Sequence, residues 1–249
     1  MGIGDSIMAS GAARKLHKSN GLPVVIVGRD GRPYWDSIWD DVPYILKRQS
    51  GKAVTRLMNC SGVRPYIAGK TALSWTWKPY KPTSAQIVFT PAELAFAEPY
   101  RGMIMIEPNV KAVGHDNKAW IADRWLALSA TRTDFVQCVP NTSERCLPPN
   151  VLKVITPTFR HAAAVLSVCK AFIGTEGGLM HAAAAIGTPA VILWSEFISP
   201  EITGYHTDKI INLRHAGKPC GNRLACPSCR KSMEAIAVDE VVQSLEKLL

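Results

Sequence analysis

The chain has 249 residues, of which 47% are hydrophobic, and its net charge is +9. This is enough to bury a sizeable core as one large domain or two small ones. No apolar run is long enough to cross a bilayer, and the N-terminus lacks a signal-peptide pattern, so a cytoplasmic protein is expected. Seven cysteines, an odd and mostly dispersed set, argue against a secreted disulfide framework. The charge is uneven: residues 1–101 hold 14 Lys/Arg and 7 Asp/Glu, residues 102–249 hold 15 and 13. An anionic partner is therefore expected to meet the first half, unless the charge serves solubility alone.

In chain order, Gly2-Ile3-Gly4-Asp5-Ser6 reads as a glycine loop with no strand ahead of it, followed by a helix over Ile7–His17 and a buried strand at Val24–Val27. Asp5 is placed either to cap that helix or to present a carboxylate at a cleft. Between Pro65 and Pro82, Trp75, Trp77, Lys78, Tyr80 and Lys81 alternate aromatic and basic residues. They form either a surface that stacks on a sugar or base or a loop whose tryptophans cover the core. Thr90 with Glu93 three residues on predicts a capped helix over Pro91–Ala97.

Beyond Pro99–Gly102, short apolar runs alternate with helical patterns. Strands are expected at Met103–Ile106, Phe135–Val139 and Leu152–Ile155, and helices at Trp120–Ser129 and Arg160–Cys169. The segment Phe172–Trp194 then reads as a strand (Ala171–Ile173), a glycine loop (Gly174-Thr175-Glu176-Gly177-Gly178), a small-residue helix (Leu179–Ile186), a turn (Gly187-Thr188-Pro189) and a second strand (Ala190–Trp194). Glycines ahead of a helix let the backbone approach a ligand and offer unpaired N–H groups to an anion; packing of the helix on the sheet is the other reason to use them.

In the tail, Cys226-Pro227-Ser228-Cys229 has the spacing of a metal knuckle. Cys220 adds a third thiolate and His215 is a candidate fourth ligand, for a structural zinc; loose thiols or a reducible disulfide are the alternatives. An amphipathic helix is expected over Ser232–Leu249.

Three parts of the chain resemble the heptosyltransferase family of bacterial glycosyltransferases, glycosyltransferase family 9. They are Gly2-x-Gly4-Asp5, Lys118-x-Trp120, and Phe172-Ile173-Gly174-Thr175-Glu176-Gly177-Gly178-Leu179-Met180-His181 with the helix and strand after it. The resemblance implies an α/β, GT-B-like fold of two Rossmann-like domains facing a cleft, the N-terminal one reduced. Residues 1–100 would be the acceptor side, 101–231 the nucleotide-sugar-binding side, and 232–249 a helix packing back on the domains. It also implies an inverting, metal-independent transfer of a sugar from an ADP-heptose-like nucleotide-sugar to an acceptor hydroxyl. Asp5 would be the catalytic carboxylate. Lys118, Thr175, Gly177, Gly178, Leu179 and His181 would hold the nucleotide, with Glu176 where the family usually has Asp.

The acceptor is expected to be an anionic saccharide or lipid-linked molecule. A glycosyltransferase acting on modified DNA bases, a nucleotide-sugar epimerase and a non-catalytic nucleotide-sugar-binding protein are the alternatives.

Overall fold

The computed structural model describes residues 2–49, 51, 53–59, 63–110, 116–140, 148 and 150–249. The first half runs α1 (Ile3–Asn20), β1 (Val24–Val27), β2 (Ile45–Leu46), β3 (Thr55–Met58), β4 (Ile67–Lys70), β5 (Trp75–Trp77) and α2 (Pro91–Ala97). The second begins β6 (Ile104–Glu107), α3 (Ala122–Ala130), β7 (Phe135–Val139), β8 (Leu152–Ile155) and α4 (Phe159–Val168). It continues β9 (Ala171–Thr175), α5 (Gly178–Ile186), β10 (Ala190–Trp194), α6 (Pro200–Thr203), β11 (Ile210–Arg214), α7 (Pro227–Ala235) and α8 (Val238–Glu246).

The second half forms one parallel sheet in the order β8-β7-β6-β9-β10-β11. Numbered within that half, the order is 3-2-1-4-5-6, which reverses between β6 and β9. Such a switch point opens a crevice at the carboxyl ends of the two strands, where ligands of open α/β sheets bind. The first half has a smaller parallel sheet, β2-β1-β3, and an antiparallel hairpin, β4–β5. This is the expected α/β, GT-B-like arrangement with a reduced N-terminal part.

The period-2 geometry of the strands sorts their side chains between two cores. Met105, Val136, Phe172, Ile192 and Trp194 face the first half and join one cluster with Ile7, Ala13 and Trp39. Ile104, Ile106, Phe135, Ile173 and Leu193 face the other way, onto Trp125 and Leu128 of α3 and Val241 and Leu245 of α8. Because the first cluster spans both halves, α1 packs directly on α5 and α2 on α4.

Several elements are shifted by one or two residues from the sequence reading, and two differ by more. The first helix starts at Ile3 rather than Ile7, so residues 3–6 are its first turn and not a loop. Glycine is a poor helix former, but the contact of this turn with α5 outweighs that propensity. The tail is two helices rather than one amphipathic helix from Ser232, with the break at Ile236, whose backbone is extended. The freed Ile236 carbonyl accepts hydrogen bonds from Trp120 Nε1, at 3.1 Å, and from Arg124. Both donors lie in or just before α3, so α8 is held against α3 and β10. Residues 111–115, ahead of Lys118, lie outside the described residues; Asp116–Lys118 form a short 3-10 turn. No helix among the described residues is long and apolar enough to cross a membrane.

Candidate functional site

A cavity of about 720 Å³ sits at the switch point, between the two halves. Its second-half wall is the end of β9 and the start of α5: Thr175, Glu176, Gly177, Gly178, Leu179 and His181 all line it. Gly177 is the N-cap of α5 and no side chain caps the helix, so its leading N–H groups are available to a ligand in the cavity. The start of α1, with Gly2 as N-cap and again no side-chain cap, faces the same space. The two helix starts can meet because both carry glycine. A Cβ on Gly4 would lie 2.8 Å from the His181 ring, and one on Gly178 would lie 2.5 Å from Ile3 Cγ2.

His181 is 2% exposed, and its Nδ1 is 3.1 Å from the Tyr205 hydroxyl. Burial lowers its pKa to about 4, against the opposing pull of the Glu176 and Asp5 charges, so the imidazole is neutral at pH 7. Lys118 reaches the cavity from the turn before α3 and pairs with Glu176; its ammonium also lies 5.1 Å from the centre of the Phe197 ring. The neighbouring Trp120 points the other way, into the core under the α7–α8 break, and anchors the segment that carries Lys118.

The first-half wall is made of side chains. Asp5 lies in the first turn of α1 and does not cap it; the carboxylate is buried at the cavity edge. Its Oδ1 accepts from the Tyr66 hydroxyl at 2.7 Å, and its Oδ2 lies 2.9 Å from an Arg64 guanidinium nitrogen. Burial, and then the Asp5 charge, push the Tyr66 pKa well up, so the phenol stays a donor. Each carboxylate oxygen still has lone-pair capacity for a further partner. Arg64, Lys70 and Arg223 also surround one face of the wall, with their cationic groups 5.7, 5.1 and 5.6 Å from the Trp75 ring centre.

Sequence reasoning named Asp5, Lys118, Thr175, Glu176, Gly177, Gly178, Leu179 and His181, and the fold brings all of them to this cavity. It missed Arg64, Tyr66, Lys70 and Arg223. The basic surplus of the first half was a signal for the first and third of these, but nothing in spacing marks Tyr66 or Arg223. The Trp75–Lys81 stretch divides. Trp75 and Trp77 pack on the core and on Phe197, with Trp77 Nε1 donating to the Phe197 carbonyl at 3.0 Å, whereas Lys78 and Lys81 are exposed.

Cys220, Cys226 and Cys229 gather with all three sulfurs within 4.8 Å of one another. The Cys220 sulfur is 3.8 Å from that of Cys226 and 3.4 Å from that of Cys229. A tetrahedral metal with thiolate bonds of about 2.3 Å separates its sulfurs by about 3.8 Å, so the cluster fits such an ion. Burial pushes the Cys220 and Cys229 thiols up. At Cys226, burial is outweighed by hydrogen bonds from the Cys229 and Ser228 N–H groups at the start of α7, and its pKa is lowered. His215 is not part of the cluster: its Nε2 pairs with Glu240 at 2.8 Å, across the outer surface from α8.

Residues 151–230 match the family model described as glycosyltransferase family 9 (heptosyltransferase). No curated protein matches the chain. Among solved structures, it is similar to E. coli ADP-heptose lps heptosyltransferase II, with 19% identity and a TM-score of 0.51 over 69% of this chain and 55% of that one. A family 9 glycosyl transferase from Veillonella parvula gives 12% identity and a TM-score of 0.64, over 100% of this chain and 94% of that one. The iron-containing dodecameric glycosyltransferase TibC from enterotoxigenic E. coli gives 13% and 0.61, over 100% and 74%. The chain thus spans little more than half the length of the heptosyltransferase II, and these likenesses are likenesses of fold.

Proposed function

The segment 151–230 belongs to glycosyltransferase family 9, and from that premise we propose that the protein transfers a sugar from a nucleotide-sugar to an acceptor hydroxyl. One observation carries the proposal: the uncapped start of α5 and Lys118 face Asp5 across a single cavity at the switch point. The N–H groups at Gly177–Leu179 and the Lys118 ammonium suit a diphosphate, whose negative charge grows as its bond to the sugar breaks. In this reading Lys118 exchanges part of its pairing with Glu176 for the phosphates.

Asp5 accepts the proton of the acceptor hydroxyl as its oxygen bonds to the anomeric carbon, and the nucleoside diphosphate departs from the opposite side with inversion. No divalent ion is required by this scheme. Residues 1–100 serve as the acceptor side and 101–231 as the donor side. Arg64, Lys70 and Arg223 around Trp75 suit an anionic saccharide or lipid-linked acceptor, and an ADP-heptose-like donor is the choice that the similarity to the heptosyltransferases supports. The three thiols would hold a structural zinc or iron ion, away from the reacting atoms.

The test separates the two walls. Lys118→Ala should weaken ADP binding about tenfold by calorimetry, the scale of one charge-assisted hydrogen bond. Asp5→Asn should keep ADP affinity and lose turnover at least about 100-fold. Wild-type turnover in Asp5→Asn on a confirmed donor and acceptor would remove Asp5 as the base.

A further inference from the structure

Asn117 commits its whole side chain to the cysteine-bearing loop. Its Nδ2 donates to the carbonyls of Asn222 and Leu224, each at 2.7 Å, and its Oδ1 accepts from the Cys226 N–H at 3.0 Å. Both amide donors are therefore used, along with the oxygen. The next residue is Lys118, at the cavity. The same loop carries Arg223 to the cavity wall, where its guanidinium lies over Trp75 and donates to the Ala72 carbonyl at 3.1 Å.

Backbone contacts hold the loop from two sides. Cys220 N–H donates to Glu196 O at 2.8 Å, Gly221 N–H to Phe197 O at 3.0 Å, and Arg223 N–H to Leu73 O at 2.9 Å. At Gly221 φ is +62°, and a Cβ there would lie 1.8 Å from the Trp75 carbonyl oxygen, so the turn requires glycine. From inside, the loop is closed by the convergence of the three sulfurs.

The geometry points to Asn117 as a positioning residue that couples the state of the Cys220–Cys226–Cys229 cluster to the two cavity cations, Lys118 and Arg223. When the sulfurs are gathered, the Cys226 N–H and the Asn222 and Leu224 carbonyls are presented together to Asn117, and the 116–118 turn is fixed. When they part, Asn117 loses three partners at once, Lys118 can swing away from Glu176, and Arg223 moves with the loop. The effect on nucleotide affinity rests on the proposed role of Lys118; the effect on the turn itself does not.

The experiment uses the full chain and four variants: Asn117→Ala, Cys226→Ser, the double variant, and Asn117→Asp, which keeps the acceptor oxygen and loses both donors. Amide hydrogen exchange at residues 118–120 is followed without ligand, and ADP affinity is measured by calorimetry. Cys226→Ser and Asn117→Ala should each speed exchange at 118–120 and weaken ADP about fivefold, the scale of one neutral hydrogen bond. The double variant should be no worse than either single, because both cut one connection. Stripping zinc from zinc-loaded wild type should speed the same amides and leave those of Asn117→Ala unchanged, which a merely structural asparagine does not predict. Asn117→Asp should behave as Asn117→Ala and covers the case in which alanine prevents folding.

Additive effects in the double variant, or unaltered exchange at 118–120 in Cys226→Ser, would overturn the coupling. Exchange that stays coupled while ADP ignores Lys118→Ala would instead leave the positioning role standing and sink the nucleotide reading.

Discussion

The two walls of the cavity are built from different material. The second-half wall is mostly backbone: a glycine pair, an uncapped helix start and a strand end, backed by β9 and β10, whose residues are wholly buried. The first-half wall is mostly side chains, Asp5, Arg64, Tyr66, Lys70 and Trp75, on a helix turn and a hairpin. A backbone wall recognises a group that every donor of a class shares, such as a diphosphate, because N–H groups are supplied whatever the sequence. A side-chain wall can be changed residue by residue, and in the proposed reading it is where acceptors would be told apart. Its position depends on the second half, which makes the ties between the halves the first place to test.

One such tie is Arg160 of α4. Its guanidinium lies 2.6 and 2.7 Å from the two carboxylate oxygens of Glu93 in α2, and it also donates to the Val88 carbonyl at 2.6 Å and the Ser37 carbonyl at 3.2 Å. The paired side chains are 7% and 10% exposed. Arg160→Ala leaves a buried carboxylate without its cation and should cost about 3–5 kcal/mol in urea unfolding. At Glu93, burial favours the neutral acid but is outweighed by hydrogen bonds from Arg160 and the Thr90 N–H, so its pKa lies below the ordinary 4.5. A lowered folded pKa stabilises the protein above the unfolded value, and that contribution disappears as pH falls through the folded one. Wild type should therefore lose stability below about pH 4.5, and Arg160→Ala should lose less over the same window. If the variant unfolds no more easily than wild type, the first-half wall does not depend on this tie.

A smaller effect is expected where the walls touch. In Gly4→Ala the new Cβ meets the His181 ring, which is buried and tied to Tyr205 and so has little room to retreat. Overpacking of this kind costs about 1–3 kcal/mol. It should also tilt the first turn of α1, and Asp5 with it, away from α5. Turnover should fall while ADP affinity, which in the proposed reading rests on the start of α5 and Lys118, stays close to wild type; equal losses in both would mean that the walls do not act separately. His181 adds a pH signature. With its pKa lowered from 6.5 to about 4 by burial, it contributes stability above pH 6.5 that is lost as pH falls toward 4, and an imidazole NMR titration should find its midpoint near the lower value.

The difference between the walls also explains how much could be read from sequence. Phe172–Trp194 was legible because a parallel strand buried on both faces must be continuously apolar, and the loop and helix after it leave glycine and alanine at fixed places. Val24–Val27 and Ala190–Trp194, buried throughout, were bounded correctly for the same reason; Phe135–Val139 and Leu152–Ile155 were bounded correctly too, although the first carries Gln137 and the second is an edge strand with three exposed residues. Lys118 and Trp120 were recognised by resemblance, but their opposite directions belong to the fold. Arg64, Tyr66, Lys70 and Arg223 carry no local pattern: hairpin pairing and a turn 150 residues away bring them together. His215 shows the converse failure, since closeness in sequence to the cysteines suggested ligation while Glu240 of α8 takes its ring instead.

The smallest effect is expected at Lys78 and Lys81, the basic members of the aromatic stretch. If that stretch were the acceptor surface, its tryptophans and lysines would act together. The fold separates them: Trp75 and Trp77 are fastened to Phe197 and to the second half, while the two lysines project outward without a carboxylate pair among the described residues. Replacing both with alanine should change stability by no more than about 0.5 kcal/mol, as for other exposed positions. ADP affinity should also stay unchanged, since neither lysine lines the cavity. Duplex DNA is the decisive probe. A salt-sensitive mobility shift that disappears in the double variant would move the acceptor surface from the Arg64–Lys70–Arg223 wall to the outside of the hairpin, and the division of labour between the walls would then have to be redrawn.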